Sequence, residues 1–148
     1  MPKVTIFIGS SNTAKSQAKA VVKAFSSATV ELLFWWEAFT PGRTLLEVLD
    51  AIREKVHGAL LIFSPEAEVT VRGNTVLTPN LNVLFEFGYF YGHFGKKKVA
   101  IIKYGNYYLP SDLGGYIHIN GSRFFKRNAV VQVGKRTRAE FNKWVAQM

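Results

Sequence analysis

One acidic residue stands where acids are seldom placed: Glu86, inside the aromatic run Asn82-Val-Leu-Phe-Glu-Phe-Gly-Tyr-Phe90. Desolvating an ionised carboxylate beside Phe85, Phe87 and Phe90 is costly, so the chain either lets it reach water or uses it. A carboxylate in such a setting serves acid–base work or stabilises a developing positive charge. Asn82 lies four residues before it, and Tyr89 and His93 continue the same helical face, a polar row that either faces solvent or lines a site. The chain has no cysteine, which excludes disulfides, zinc–thiolate centres and thiol nucleophiles together. His57, His93 and His118 show no ligand spacing with one another or with carboxylates, so neither a metal site nor a Ser-His-Asp triad is expected.

A second group of polar residues follows the first apolar run. Gly9-Ser10-Ser11 offers close backbone approach and two hydroxyls at a helix start, which suits phosphate or ribose as well as plain capping. Neither a Walker motif nor a Gly-x-Gly-x-x-Gly fingerprint accompanies it. Arg43 ends the loop Glu37-Ala-Phe-Thr-Pro-Gly-Arg43 and suits either a phosphate or solvent. Trp35, Trp36 and Phe39 suit stacking on a nucleobase or packing, and for Trp35, at a strand end, packing is the better reading.

The elements that must position these residues alternate between two periods. Lys3 to Ile8 reads as a strand, and Ser11 or Asn12 caps a helix with Ala14, Ala18, Val21, Val22 and Phe25 on one face. Val30 to Trp35 is a second strand. Thr44-Leu-Leu-Glu47 fits a capping box, opening a helix with Leu45, Leu49, Ile52 and Val56 inward, closed by Gly58. Ala59 to Ser64 is nearly all apolar, as in a strand covered on both faces, and residues 65–77 read as a polar, irregular connection. Thr78 as N-cap with Pro79 at the first helical position opens the helix that carries Glu86 and ends near Gly95. Lys97 to Tyr104 is a fourth strand, Tyr116 to Ile119 a fifth, and a helix runs from about Thr137 to Met148; residues 121–136 give no decision. The plan is α/β and flavodoxin-like, a central parallel sheet of about five strands with helices on both faces, in a single domain over residues 1–148. Ligands of such sheets collect beyond the carboxyl ends of the strands, where Gly9-Ser10-Ser11, the Trp36–Arg43 loop, the residues after Ser64 and the loop containing Asp112 would gather.

Net charge is +9, and residues 121–148 hold seven basic residues against Glu140 alone, so six of the nine charges fall there. No base-stacking motif accompanies them, so solvent or a protein surface is the expected neighbour and nucleic acid is not. No apolar stretch is long enough to span a bilayer and the first strand is no signal peptide, so the expectation is a soluble cytoplasmic protein.

Four pieces in order resemble bacterial TIR-like domains, those joined to cyclic-nucleotide sensors such as STING in anti-phage (CBASS and Pycsar) defence. They are Ile8-Gly-Ser-Ser11, Trp35-Trp36 with Phe39-Thr-Pro-Gly-Arg-Thr-Leu-Leu-Glu47, Asn82-Val-Leu-Phe-Glu-Phe-Gly88, and Leu109-Pro-Ser-Asp-Leu-Gly-Gly115. The resemblance covers about residues 3–120. It implies a TIR fold and cleavage of the nicotinamide–ribose bond of NAD+, taken as substrate with no further cofactor, giving nicotinamide and ADP-ribose or a cyclic ADP-ribose. Glu86 then matches the essential helix glutamate and Asp112 the acidic residue of the Leu-Pro-Ser-Asp loop. Gly9, Ser10 and Ser11 match the nucleotide loop, and Trp36 to Arg43, with Phe39, match the loop used for gating and assembly. Asn82 stands where many animal and plant TIR enzymes have tryptophan. The resemblance further implies activation by self-association through TIR–TIR contacts, and a cyclic-nucleotide sensor that this chain does not contain, in cis or as a partner. Two other readings remain: a non-enzymatic TIR interaction module, and a nucleoside deoxyribosyltransferase-like enzyme with a glutamate nucleophile.

Overall fold

The computed structural model describes residues 2–38, 41–109, 117–121, 125–127 and 130–148; for residues 35, 38, 120, 125–127, 130 and 131 it describes the backbone alone. Five parallel strands form the central sheet: β1 (Val4–Gly9), β2 (Val30–Phe34), β3 (Gly58–Phe63), β6 (Val99–Lys103) and β7 (Ile117–Asn120), in spatial order β2-β1-β3-β6-β7. This is the flavodoxin-like order, whose direction reverses between β1 and β3. Side chains alternate across the sheet as strand geometry requires. Ile6, Ile8, Leu60, Ile62, Ala100 and Ile102 meet α1 (Lys15–Phe25) and α5 (Lys135–Val145) on one face. On the other face, Phe7, Leu61, Phe63 and Ile101 meet α3 (Leu45–Arg53) and α4 (Leu81–Phe94). Every residue of β3 is buried, as its unbroken apolar run predicts.

Several local readings change. The second strand ends at Phe34, and Trp35–Ala38 form a short helix, α2, because aromatic residues fit the end of a strand and a helical turn equally well. Helix α1 begins at Lys15 with Ala14 as its N-cap; Ser11 Oγ instead accepts from Ala14 N at 3.1 Å in the turn before it. Gly58 does not close α3, which ends at Arg53, but begins β3 where Lys98 O would lie 2.4 Å from any Cβ. Residues 65–77 are not irregular: β4 (Ala67–Val71) and β5 (Asn74–Thr78) make an antiparallel hairpin between β3 and α4. Its two-residue turn, Arg72-Gly73, has φ of 49° and 81°, the doubly left-handed geometry of a type I′ hairpin turn. Thr78 therefore ends a strand, and Asn80 caps α4 by accepting from Asn82 N at 3.0 Å and Val83 N at 3.3 Å. Two short strands, β8 (Phe125–Arg127) and β9 (Val130–Gln132), occupy the undecided stretch before α5.

The capping box at α3 forms as the sequence predicts. Glu47 N donates to Thr44 Oγ1 at 3.3 Å, while Thr44 N and Thr44 Oγ1 donate to Glu47 Oε2 at 2.7 and 3.1 Å and hold the Glu47 carboxyl below its ordinary range. Thr44→Ala removes an acceptor for a free helix N–H and is expected to cost about 1 kcal/mol in denaturant unfolding, with Thr44→Ser keeping most of it.

Candidate active site

The cleft at the end of β1 collects side chains from three places. The β1–α1 connection supplies Ser10, Ser11 and Asn12; α3 supplies Leu45, Val48, Leu49 and Ile52; the start of α4 supplies Asn80, Asn82, Val83 and Glu86. Phe7 closes its floor. The position is the carboxyl end of β1 beside the reversal in strand order, where open parallel sheets leave a crevice. With a volume of about 160 Å³ it holds a ring-sized group, since one water claims about 30 Å³ of liquid.

Glu86 is the sixth residue of α4, and the helix delivers it inward: it is only 6% exposed, whereas Asn82 and His93 on the same row are exposed. The polar row is thus not a solvated stripe at its centre. Its neighbours divide, with Phe87 and Phe90 in the core and Phe85 outward. The carboxyl is packed against β1 so closely that a Cβ on Gly9 would lie 2.7 Å from Glu86 Oε2 and 2.3 Å from Leu61 Cδ1. Gly9 is required here for space. Oε2 is buried with no hydrogen-bond partner among the described residues, and burial pushes the Glu86 carboxyl up to about 7. A buried acid left without a donor is costly to the fold, and such groups mark places where a ligand completes the contact.

Ser10 and Ser11 are both buried at the cleft wall. Ser11 Oγ donates to Glu66 Oε2 at 2.7 Å, and Ser64 Oγ donates to the same oxygen at 2.6 Å. Glu66, just past the end of β3, is a residue the sequence did not single out. Its partners lie 55 and two positions away, and only the hairpin, tied back by Glu66 N donating to Thr78 O, brings it behind Ser11. The helices flanking the cleft are clasped by Tyr89 of α4, whose hydroxyl donates to Asp50 of α3 and whose ring lies under the Arg53 guanidinium.

The expected site residues are partly brought together. Gly9, Ser10, Ser11, Asn82 and Glu86 meet at the cleft. Trp36 does not line it: its ring stacks on Phe34 at 3.9 Å, under Lys15 Nζ at 4.8 Å, and packs with the cluster on the α1 side of the sheet. Arg43 is exposed and also absent from the lining. Phe39 and Asp112 lie outside the described residues. Among the described residues no group of three His, Asp or Glu is placed to hold a metal ion, and no helix is long and apolar enough to cross a membrane.

Residues 5–123 match the model of the CAP12/Pycsar effector protein TIR domain. Protein tirC of Dictyostelium discoideum is 32% identical over 130 residues, which is 80% of this chain and 63% of that protein. CD-NTase-associated protein 12 of a Lachnospiraceae bacterium (strain RUG226) is 30% identical over 76% of this chain and 36% of its own length. The Pycsar effector protein PaPycTIR of Pseudomonas aeruginosa is 34% identical over 52% of this chain and 26% of its own. The chain thus spans less than two thirds of each of these relatives.

Proposed function

The chain belongs to the TIR domains of the CAP12/Pycsar effector family, and we propose that it is the NAD+-cleaving part of an anti-phage effector, with Glu86 as the catalytic carboxylate. The observation that carries this reading is the buried Glu86 carboxyl, without a partner among the described residues, on a cleft whose described lining includes no Lys or Arg. Such a cleft disfavours phosphate and favours a cation or a developing one.

The nicotinamide of NAD+ is such a cation. Its ring leaves as a neutral molecule, taking the electrons of the C1′–N bond, so no general acid is needed, unlike glycoside cleavage with its paired carboxyls. Positive charge passes to the ribose, and the fixed Glu86 carboxylate, in a site poor in water, stabilises it. Water then adds at C1′ and releases a proton, giving ADP-ribose; capture by the adenine ring instead gives a cyclic ADP-ribose. Phe7, Val48, Leu49, Ile52 and Val83 supply an apolar wall for the leaving ring. Binding of the cationic ring lowers the carboxyl's proton affinity, so substrate itself generates the charged form. Asp112, in the Leu109-Pro-Ser-Asp loop, is assigned to orient water or a ribose hydroxyl.

The proposal extends to activation by self-association. Leu81 and Phe85, one turn apart on α4, are 60% and 47% exposed, and Leu77 and Tyr108, joined through Tyr108 N and Leu77 O, are exposed as well. A cyclic-nucleotide sensor, in cis or as a partner, would supply the trigger. Chromatography of NAD+ incubated with a dilution series of purified protein tests both parts. Nicotinamide release whose rate per molecule climbs with protein concentration is expected. Oligomers that leave NAD+ intact would favour an interaction module, and base exchange between free nucleosides a deoxyribosyltransferase-like enzyme.

A further inference from the structure

Two buried serines flank the carboxylate behind the cleft, and their hydrogen bonds fix which way each proton points. Ser11 Oγ gives its only proton to Glu66 Oε2 and accepts Ala14 N–H, while Ser64 Oγ donates to the same Glu66 oxygen. Ser10 Oγ is turned to the Ser11 carbonyl oxygen at 3.1 Å. A hydroxyl has one donor and two acceptor positions, so Ser11 keeps one lone pair for a ligand and no proton. The wall after β1 therefore offers Ser11 as an acceptor on the cleft that Glu86 also lines.

We propose that Glu66 is a positioning residue that holds Ser11 as a hydrogen-bond acceptor, so that the end of β1 recognises a ribose hydroxyl and rejects a phosphate. A sugar hydroxyl can donate to Ser11, whereas a phosphate oxygen would face an acceptor with no basic side chain among the described lining residues to offset its charge. Hydroxyls on the ribose of the scissile bond would thus be gripped from the β1 side while Glu86 faces C1′. This rests on the NAD+ reading for the identity of the ribose. The direction of the Ser11 proton does not depend on it.

Glu66→Ala frees the Ser11 proton, and the loss of one oriented acceptor is expected to raise KM for NAD+ about tenfold, leaving kcat nearly unchanged. Glu66→Gln keeps an oxygen that both serine hydroxyls can reach, and should recover most of the loss. With NAD+ analogues lacking the 2′- or the 3′-hydroxyl of the nicotinamide ribose, wild type should lose affinity for one of them, and Glu66→Ala should lose nothing more on that analogue. An unchanged KM in a folded Glu66→Ala protein, or an equal Glu66 penalty on NAD+ and both analogues, would overturn the assignment. Should wild type fail to turn over NAD+, calorimetric binding of nicotinamide riboside against its 2′- and 3′-deoxy forms reads the same contact. Preference for the intact riboside that Glu66→Ala abolishes would keep it, and absence of that preference would overturn it.

Discussion

Glu86→Gln is expected to yield a protein that is more stable than wild type above neutral pH and nearly inert towards NAD+. The stability half follows from proton linkage. Folded Glu86 holds its proton up to about pH 7, against an ordinary value of 4.5, so between these the folded state binds more protons than the unfolded one. Stability contributed by this group is complete below 4.5, falls as pH rises across the window, and is flat above about 7. Glutamine cannot ionise and escapes that loss, which for a shift from 4.5 to about 7 amounts to about 3 kcal/mol. Urea unfolding of both proteins at pH 4.5, 6 and 8 measures it; parallel curves with no divergence would mean that Glu86 finds a partner or water. The catalytic half has the opposite sign. Losing the charge proposed to face a ribosyl cation should cost at least ~10²-fold in kcat, the scale of removing one preorganised electrostatic group. The wild-type pH profile should carry the same signature: kcat/KM rises with pH through about 7, and kcat rises at lower pH because the bound cation favours the carboxylate.

Gly9→Ala should damage both folding and catalysis through one added methyl group. Its Cβ would fall 2.3 Å from Leu61 Cδ1, 2.7 Å from Glu86 Oε2 and 3.2 Å from Phe7 Cε1. Leu61 and Phe7 are fully buried, so the added methyl group must displace Leu61, the end of β1 or Glu86, and each of these shifts disturbs the contact between Glu86 and the strand. Overpacking of this kind costs about 1–3 kcal/mol, and displacing a catalytic group by about 1 Å costs on the order of 10²-fold in rate. Gly88→Ala is the matched control on the outer side of α4, where an added Cβ meets nothing within 4 Å. It should gain roughly 0.5–1 kcal/mol from helix propensity and leave the kinetics unchanged. Calorimetric melting and initial rates on the three proteins separate the two effects, and a Gly9→Ala protein with wild-type kinetics would show that Glu86 tolerates displacement.

Much of the frame is legible in the sequence because it is local. The alternation of apolar runs gives the five parallel strands, and Thr44 and Glu47 form the capping box their spacing predicts. The failures have identifiable physical causes. Arg72-Gly73 lacks the Asn-Gly or Asp-Gly signal of a type I′ turn, so Val69, Val71, Val76 and their polar neighbours read as loop although they alternate as paired strands. Pro79 after Thr78 has the form of a helix start, but the hairpin claims Thr78 and passes the cap to Asn80. At the candidate cleft, the presence of Glu86 was legible through its unusual neighbours, and that of Ser10, Ser11 and Asn82 through their places beside strand and helix ends. Trp36 misled because a tryptophan beside a loop fits stacking on a base and stacking on Phe34 equally well. Glu66 falls among the residues after Ser64 that the strand order places at the rim, but nothing local singles it out, since its bonds to Ser11 and Ser64 exist only once β1, β3 and the hairpin meet.

The most direct measurement is nicotinamide release from NAD+, followed by chromatography, for wild type and Glu86→Gln side by side at the highest concentration at which both stay folded. Release by wild type that drops at least ~10²-fold in a Glu86→Gln protein of equal or greater stability is the predicted result. A folded Glu86→Gln protein that releases nicotinamide as fast as wild type would contradict the role of Glu86 as the carboxylate that stabilises the ribosyl cation.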